Sequence, residues 1–379
     1  MSFLESRIKF VPTGIRKVLY LNWPIILLTS AVASVGVLML WSIAGGDFDV
    51  WARRQAQVFV AGTVLMLIVA MVPIWFWRSM AGVSYVFAFL LLIYVEFRGQ
   101  TNMGAQRWID FGFLQFQPSE MMKFSLVMLL AAYYDWLDNK KTSRPLWVLL
   151  PVVLILAPTV LVLMQPNLGT SLMLILGGAA VMFAAGVSLW YFAAVVSLTI
   201  GAVAGVFLTR GTSWQFLHDY QYRRIDTFLD PSADPLGAGY NILQAKIALG
   251  SGGWSGKGFM QGTQSRLNFL PEKHTDFIFT TLAEEFGFVG AFSLLALYAL
   301  IIGFCLVSAL QNKDRFSSLL IIGVAGNFFF YIAVNLSMVM GMAPVVGVPL
   351  PLLSYGGSAM LVILVGFGLV QSAHVHRPR

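Results

Sequence analysis

The sequence predicts an all-α polytopic membrane protein with about ten transmembrane helices, and three observations carry that prediction. Of its 379 residues, 58% are apolar and only 11% are charged, whereas soluble domains carry about 25% charged residues. Mean hydropathy is +0.78. Apolar runs as long as the roughly 20 residues needed to cross a bilayer recur along the whole chain. They lack the every-second-residue alternation of a transmembrane β-barrel, whose strands are only about 10 residues long.

Taken in order, spans are predicted near 20–43, 55–76, 79–96, 118–135, 146–164, 170–187, 189–209, 277–309, 317–340 and 355–373. The first follows a basic stretch with Arg7, Lys9, Arg16 and Lys17, and no small-residue cleavage site follows it, so it reads as an anchor. An even number of spans puts both termini on one side. Loops on that side gather Arg78, Lys140, Lys141, Arg144, Lys313, Arg315, Arg377 and Arg379 besides the N-terminal four, while the short loops opposite hold Arg53, Arg54, Arg98 and Arg107. The positive-inside rule makes both termini cytoplasmic.

The whole chain, 1–379, reads as one membrane domain. Its large extracytoplasmic loop, 210–276 between the seventh and eighth helices, is too long to be structureless in a compact protein. Within it, Tyr222–Leu229 reads as a short interfacial helix, with Ile225, Phe228 and Leu229 on one face. Two further outer segments are unusual: 97–117, and 341–358 with Pro344, Pro349, Pro351, Gly347, Gly356 and Gly357.

Composition excludes several function classes. The lone Cys305 sits in an apolar run, so an internal disulfide and a Cys-based metal site are excluded. His218, His274, His374 and His376 form no metal-ligand cluster by spacing. The pI of about 9.5 belongs to membrane-flanking loops, not to nucleic-acid binding. The glycine-rich run Gly250–Gly258 fails as a phosphate loop, because Ser251 and Gly258 stand where that pattern needs Gly and Ser or Thr. No nucleotide cofactor is implied, so an activated substrate must bring its own leaving group.

Charges within apolar spans are costly and mark function or pairing. Glu120 and Lys123, three residues apart, share a helix face. Asp276 opens the eighth helix, and Glu284 and Glu285 follow two turns later. Each has a plain structural alternative. Asp276 suits a helix N-cap, Glu120–Lys123 suits a structural ion pair, Glu284 or Glu285 suits a helix partner, and Arg223 and Arg224 suit lipid headgroups. Read together, Arg107, Lys123, Arg224 and Lys246 are candidates to hold a phosphorylated lipid headgroup, with Asp276 as the group that takes a proton.

Five motifs add a resemblance. Gly104-Ala-Gln-Arg-Trp-Ile109, Gln117-Pro-Ser-Glu120, Asp234-Pro-Leu-Gly-Ala-Gly-Tyr240, Leu270-Pro-Glu-Lys-His-Thr-Asp-Phe-Ile-Phe279 and Val346-Gly-Val-Pro-Leu-Pro-Leu-Leu-Ser-Tyr-Gly-Gly-Ser358 resemble the SEDS family (shape, elongation, division and sporulation), in the family's order. Gly104–Trp108, Gly262–Ser265 and Gly347–Pro351 are similar to its elongation branch more than to its division branch. The resemblance implies a ten-helix peptidoglycan glycosyltransferase of the bacterial cytoplasmic (inner) membrane. Such an enzyme polymerises lipid II into β-1,4 glycan strands and releases undecaprenyl diphosphate. It implies Asp276 as the essential aspartate, and Glu120 and Lys123 as the family's helix-four pair. It implies as partners a class B penicillin-binding protein, which is a transpeptidase, and cytoskeleton-linked elongation proteins. One departure stands out: the family's usual Gln-Pro-Asp-Leu-Gly is Gln165-Pro-Asn-Leu-Gly169 here, so position 167 carries no charge.

That chemistry needs a general base on a sugar hydroxyl and positive charge on a departing diphosphate. Asp276 would serve as base, its pKa lowered by the helix dipole and raised by burial. Arg107, Lys123, Arg224 and Lys246 would meet the diphosphate, with a divalent cation (Mg2+ or Mn2+), held by Glu120, as a further candidate. The rival readings are a lipid II flippase, which also uses buried charges and Pro/Gly-broken segments, a division-type polymerase, and a scaffold without activity.

Overall fold

The computed structural model describes residues 14–102, 105–110, 112, 115–212, 215, 222, 226, 228–230, 238–267 and 272–377. The fold is almost wholly helical. Helices α1 (Trp23–Ile43), α2 (Ala52–Met71), α3 (Ile74–Arg98), α4 (Pro118–Trp136), α5 (Pro145–Met164), α6 (Leu168–Ala184) and α7 (Leu189–Leu208) precede α8 (Ala238–Ser251), which lies in the long predicted loop. Helices α9 (Ile278–Gln311), α10 (Arg315–Val339) and α11 (Gly357–Val375) complete the bundle. All ten predicted spans correspond to helices. Among the described residues, eight are long and apolar enough to cross a membrane, while α6 is shorter, at 17 residues. Helix α4 carries Glu120, Lys123 and Asp135.

Local chemistry sets the helix ends. Proline occupies the first turn of α1, α4 and α5, where its missing N–H costs nothing. The Asp314 carboxylate accepts from Ser317 N at 2.9 Å and caps α10. The α2–α3 boundary differs from the expected one near residue 77. Pro73 cannot continue α2, so the chain turns there, and Arg78 falls inside α3, paired with Asp135 of α4.

Helices α4, α10 and α11 form the buried centre, and Tyr134, Phe316, Tyr331 and Phe367 are among the largest fully buried side chains. Helix α2 lies along α11, and α6 lies along α10. By contrast, α7 buries none of its residues against the protein, as expected of a helix bathed in lipid.

The outer segments are ordered in unexpected ways. Residues 97–117 hold a small antiparallel sheet, ordered β1 (Gln100–Asn102), β2 (Ala105–Asp110), β3 (Gln115–Phe116), with Asn102 opposite Ala105 and Asp110 opposite Gln115. Residues 341–356 run as irregular backbone into the bundle. There Leu350, Leu352 and Leu353 are buried, Tyr298 donates to Pro351 O at 2.6 Å, and Ser354 donates to Thr275 O at 2.6 Å. Of the expected interfacial helix at 222–229, residues 223–225 and 227 lie outside the described residues. Asp226 within it makes a two-bond ion pair with Arg210, both contacts 2.7 Å.

The eighth predicted span is not continuous. Gly287 has φ 64° and ψ −161° inside α9, which divides it into a short half, 278–286, and a long half, 288–311. The glycine-rich run causes the break by supplying the hydrogen bonds that the helix gives up. Phe288 N donates to Gly253 O at 2.8 Å, and Lys257 N donates to Glu284 O at 3.0 Å.

Candidate active site

Asp276 sits at the start of the short half of α9, one residue before the flanking Phe277. It is therefore not the N-cap that its position in the sequence allowed. Three contacts fix the turn that carries it: Asn335 donates to Asp276 O at 2.9 Å, Ser354 to Thr275 O at 2.6 Å, and Tyr355 N to His274 O at 2.9 Å. Its carboxylate accepts no hydrogen bond from a described residue and lies near Gly347. Burial, helped by the neighbouring Glu272, pushes the Asp276 carboxyl up to about 6.

The carboxyl opens into a cavity of about 360 Å³ whose lining includes Arg107, Trp108, Glu120, Lys123, Glu272 and Tyr331. Glu120 and Lys123 are both buried and pair at 2.7 Å in the first turns of α4. Tyr331 of α10 donates to the other oxygen of Glu120 at 2.7 Å, and Lys123 also reaches the Tyr331 hydroxyl. The ammonium lies 4.3 Å from the centre of that ring. Ion pair, hydroxyl and ring form one unit, a compensation that a buried ammonium requires.

Arg107 projects from β2. Its Nε donates to Gln165 O at 2.8 Å and its Nη2 to Pro166 O at 2.6 Å. Burial lowers its pKa, and its partners are neutral carbonyls, so its charge is not cancelled locally. The same corner explains Asn167. Its side chain accepts from Thr170 N at 3.2 Å and caps α6, a task that needs an oxygen but no charge.

A second cavity of about 280 Å³ adjoins the first and includes Arg54, Gln55 and His274 in its lining. Trp108, Glu272, Thr275 and Tyr355 line both. Trp51 stacks on His274 with ring centres 4.9 Å apart, and burial lowers the histidine's pKa.

Of the residues proposed from sequence, the structure brings Asp276, Glu120, Lys123 and Arg107 to one cavity. It does not bring Lys246. That residue is exposed on α8 and packs against Gly341 at the end of α10, because its helix face points away from the cavity. Arg224 lies outside the described residues. Glu120 is poorly suited to a cation, since both its oxygens are engaged by Lys123 and Tyr331. Tyr331 was missed inside the run Phe328-Phe-Phe-Tyr331. Its signal was the four-residue spacing of Asn327, Tyr331 and Asn335, which puts three polar groups on one face of an apolar helix.

The family model described as cell cycle protein, spanning FtsW, RodA and SpoVE, matches residues 21–379. The chain belongs to this family. It is 42% identical over 361 residues to peptidoglycan glycosyltransferase MrdB of Escherichia coli K12, covering 94% of each chain. It is 34% identical over 347 residues to a probable peptidoglycan glycosyltransferase FtsW of E. coli O6:H1, covering 89% of this chain and 81% of that one. Among solved structures, a chain from a peptidoglycan synthase complex that coordinates polymerization and crosslinking matches with TM-score 0.80 and 32% identity, covering 93% of this chain and 97% of that one. The rod shape determining protein RodA of Thermus thermophilus matches with TM-score 0.70 and 29% identity, covering 95% and 98%. Membership accounts for the multi-pass helical architecture and agrees with the motif resemblance.

Proposed function

We propose that this chain is an elongation-type peptidoglycan glycosyltransferase that polymerises lipid II at the outer face of the bacterial cytoplasmic membrane, with Asp276 as general base. Both termini are then cytoplasmic. The observation that carries the reading is a half-buried Asp276 carboxyl, without a hydrogen bond from any described residue, facing a cavity that also holds Lys123 and Arg107. Greater identity to MrdB than to FtsW, 42% against 34%, favours elongation over division.

The acceptor's 4-hydroxyl gives its proton to the Asp276 carboxylate as its oxygen attacks the anomeric carbon of the donor. The bond from that carbon to the diphosphate breaks, and undecaprenyl diphosphate departs with the electron pair. One displacement converts an α-linked donor into a β-linked product, through a transition state of oxocarbenium character like that of glycosidases. Arg107 meets the developing charge of the leaving group with a guanidinium suited to phosphate. Lys123 adds a second positive centre, oriented by Glu120 and Tyr331. With its carboxyl raised to about 6, Asp276 is ionised at neutral pH yet basic enough to accept a proton. Transfer between two lipid-linked sugars needs room for both, and the adjoining cavities that share Trp108 and Tyr355 offer it.

A divalent cation fits this site poorly. The Glu120 oxygens are occupied, and no group of three or more His, Cys, Asp or Glu able to hold a metal occurs among the described residues. No step is assigned to one. The partner is a class B penicillin-binding transpeptidase, with cytoskeleton-linked elongation proteins as further partners; the similarity to a chain from a synthase complex supports the first.

The test is purified protein in lipid, given labelled lipid II with and without the transpeptidase, in Mg2+ and in EDTA. Glycan strands resolved on a gel are the expected product. No polymer under any condition, with lipid II translocation across vesicles instead, would overturn the reading in favour of transport.

A further inference from the structure

Two features that this reading leaves unused, the glycine-rich run and the Glu284–Glu285 pair, meet at the break in α9. Glu284 is wholly buried, and its Oε1 accepts from Lys257 Nζ at 2.6 Å, Thr263 N at 2.9 Å, Thr263 Oγ1 at 2.9 Å and Gln264 N at 3.2 Å. Glu285 is also buried. It accepts from Ser42 of α1 at 2.5 Å. The remaining oxygen of each carboxylate is buried without a partner among the described residues, so the hold rests on the first oxygens alone.

The backbone completes the interlock. Lys257 N and Gly258 N donate to the carbonyls of Glu284 and Glu285 at 3.0 and 2.9 Å, and Phe288 N and Val289 N donate to Gly253 O and Trp254 O at 2.8 and 3.1 Å. The approach is too close for side chains. A Cβ on Gly256, itself at φ 77°, would stand 2.1 Å from Glu285 O, and one on Gly287 would stand 2.3 Å from Gly256 N. The run that fails as a phosphate loop donates instead to backbone carbonyls of the half-helix, and the N–H groups of Thr263 and Gln264 just beyond it meet the Glu284 carboxylate.

This interlock bears on Asp276 through mechanics. The break at Gly287 uncouples the half-helix 278–286 from the long half of α9, so the membrane span alone does not orient it. One end is fixed by Asn335, Ser354 and Tyr355 around Asp276, and the other by the loop 252–264 and Ser42. We infer that Glu284, with Lys257, is a positioning pair that clasps the half-helix and thereby sets where the Asp276 carboxyl stands in its cavity. The inference rests on Asp276 being the base.

Misplacing a reacting group by about 1 Å costs up to roughly a hundredfold in rate, so loosening the clasp should show in turnover. Glu284→Ala would orphan several donors and is expected to impair folding, so the test uses Lys257→Met and Glu284→Gln. Both are compared with wild type, Lys257→Arg and Asp276→Asn in the lipid II polymerisation assay, on protein that elutes as a single folded species. Both clasp variants should lose about tenfold or more in kcat with KM for lipid II within about twofold. Their acid limb should move below about pH 6, as the displaced carboxyl gains water, and Lys257→Arg should restore turnover. Wild-type kcat in both variants, or a lowered kcat with the acid limb unmoved, would overturn the clasp. If the clasp variants fail in either way while Asp276→Asn is inactive, only the clasp falls; if Asp276→Asn polymerises normally, the reading of Asp276 as base falls and the inference with it.

Discussion

The two ends of one short half-helix carry carboxylates in opposite conditions. Glu284 is wholly buried and one of its oxygens takes four hydrogen bonds, whereas Asp276 takes none from a described residue and is pushed up to about 6 by burial. A carboxylate with one oxygen held by four donors holds structure together. One that is left unanswered is unstable where it stands and free to bind a proton. The contrast teaches that burial alone does not mark a reactive acid; a carboxyl that opens into a cavity with no donor from a described residue on either oxygen does.

Substitutions can break or sharpen that contrast. The largest effect belongs to the satisfied end. Glu284→Ala leaves Lys257 and two backbone N–H groups without their acceptor, and removing one partner of a buried pair costs about 3–5 kcal/mol. Thermal unfolding in detergent should show a large loss of Tm, and an unchanged Tm would erase the distinction.

Asp276→Asn should do the reverse. Because the folded pKa lies above the value near 3.9 of an unfolded aspartate, wild-type stability from this group is full below about pH 4 and is lost as pH rises through about 6. The amide avoids that loss, so the variant should be the more stable by up to about 2 kcal/mol at pH 7.5, with the gap closing by pH 4. A variant less stable than wild type at pH 7.5 would mean that the carboxylate has donors after all.

Tyr331→Phe removes one hydroxyl from the Glu120–Lys123 unit. A hydrogen bond to a charged group is worth about 1.5–3 kcal/mol, so turnover should fall about tenfold or more, with the fold retained. Unchanged kcat at saturating lipid II would make the unit purely structural. The smallest effect is expected for Asn167→Asp. Both side chains present the oxygen that caps α6 at Thr170 N, and as N-caps they are nearly equal, so activity should stay within about twofold. A large gain would show that a charge at this position takes part in turnover.

How much of this was legible in the sequence follows from the range over which each signal acts. Apolar runs give helices directly, so all ten spans could be placed. Asp276, Glu120, Lys123 and Arg107 stood out because charge is rare in such a chain. The division of α9 was hidden, because its cause is a loop some thirty residues upstream, Gly252–Gly258, that supplies hydrogen bonds only after folding. Lys246 looked equivalent to Lys123, yet its position on α8 aims it at Gly341. Tyr331 looked like aromatic filler until α10 placed its hydroxyl between Glu120 and Lys123. The small sheet at 100–116 escaped notice because its strands are too short to show periodicity.

The central claim is that Asp276 is the base of a lipid II polymerase. Its most direct test is kcat of wild type and Asp276→Asn at saturating lipid II, with the transpeptidase partner, from pH 5 to pH 8. Wild-type turnover should rise with pH through an acid limb near 6 and level off above it. The Asn variant should be lower by about 10²–10⁴-fold at neutral pH and should lack that limb. Comparable turnover from both proteins, or the same limb in both, would contradict the claim.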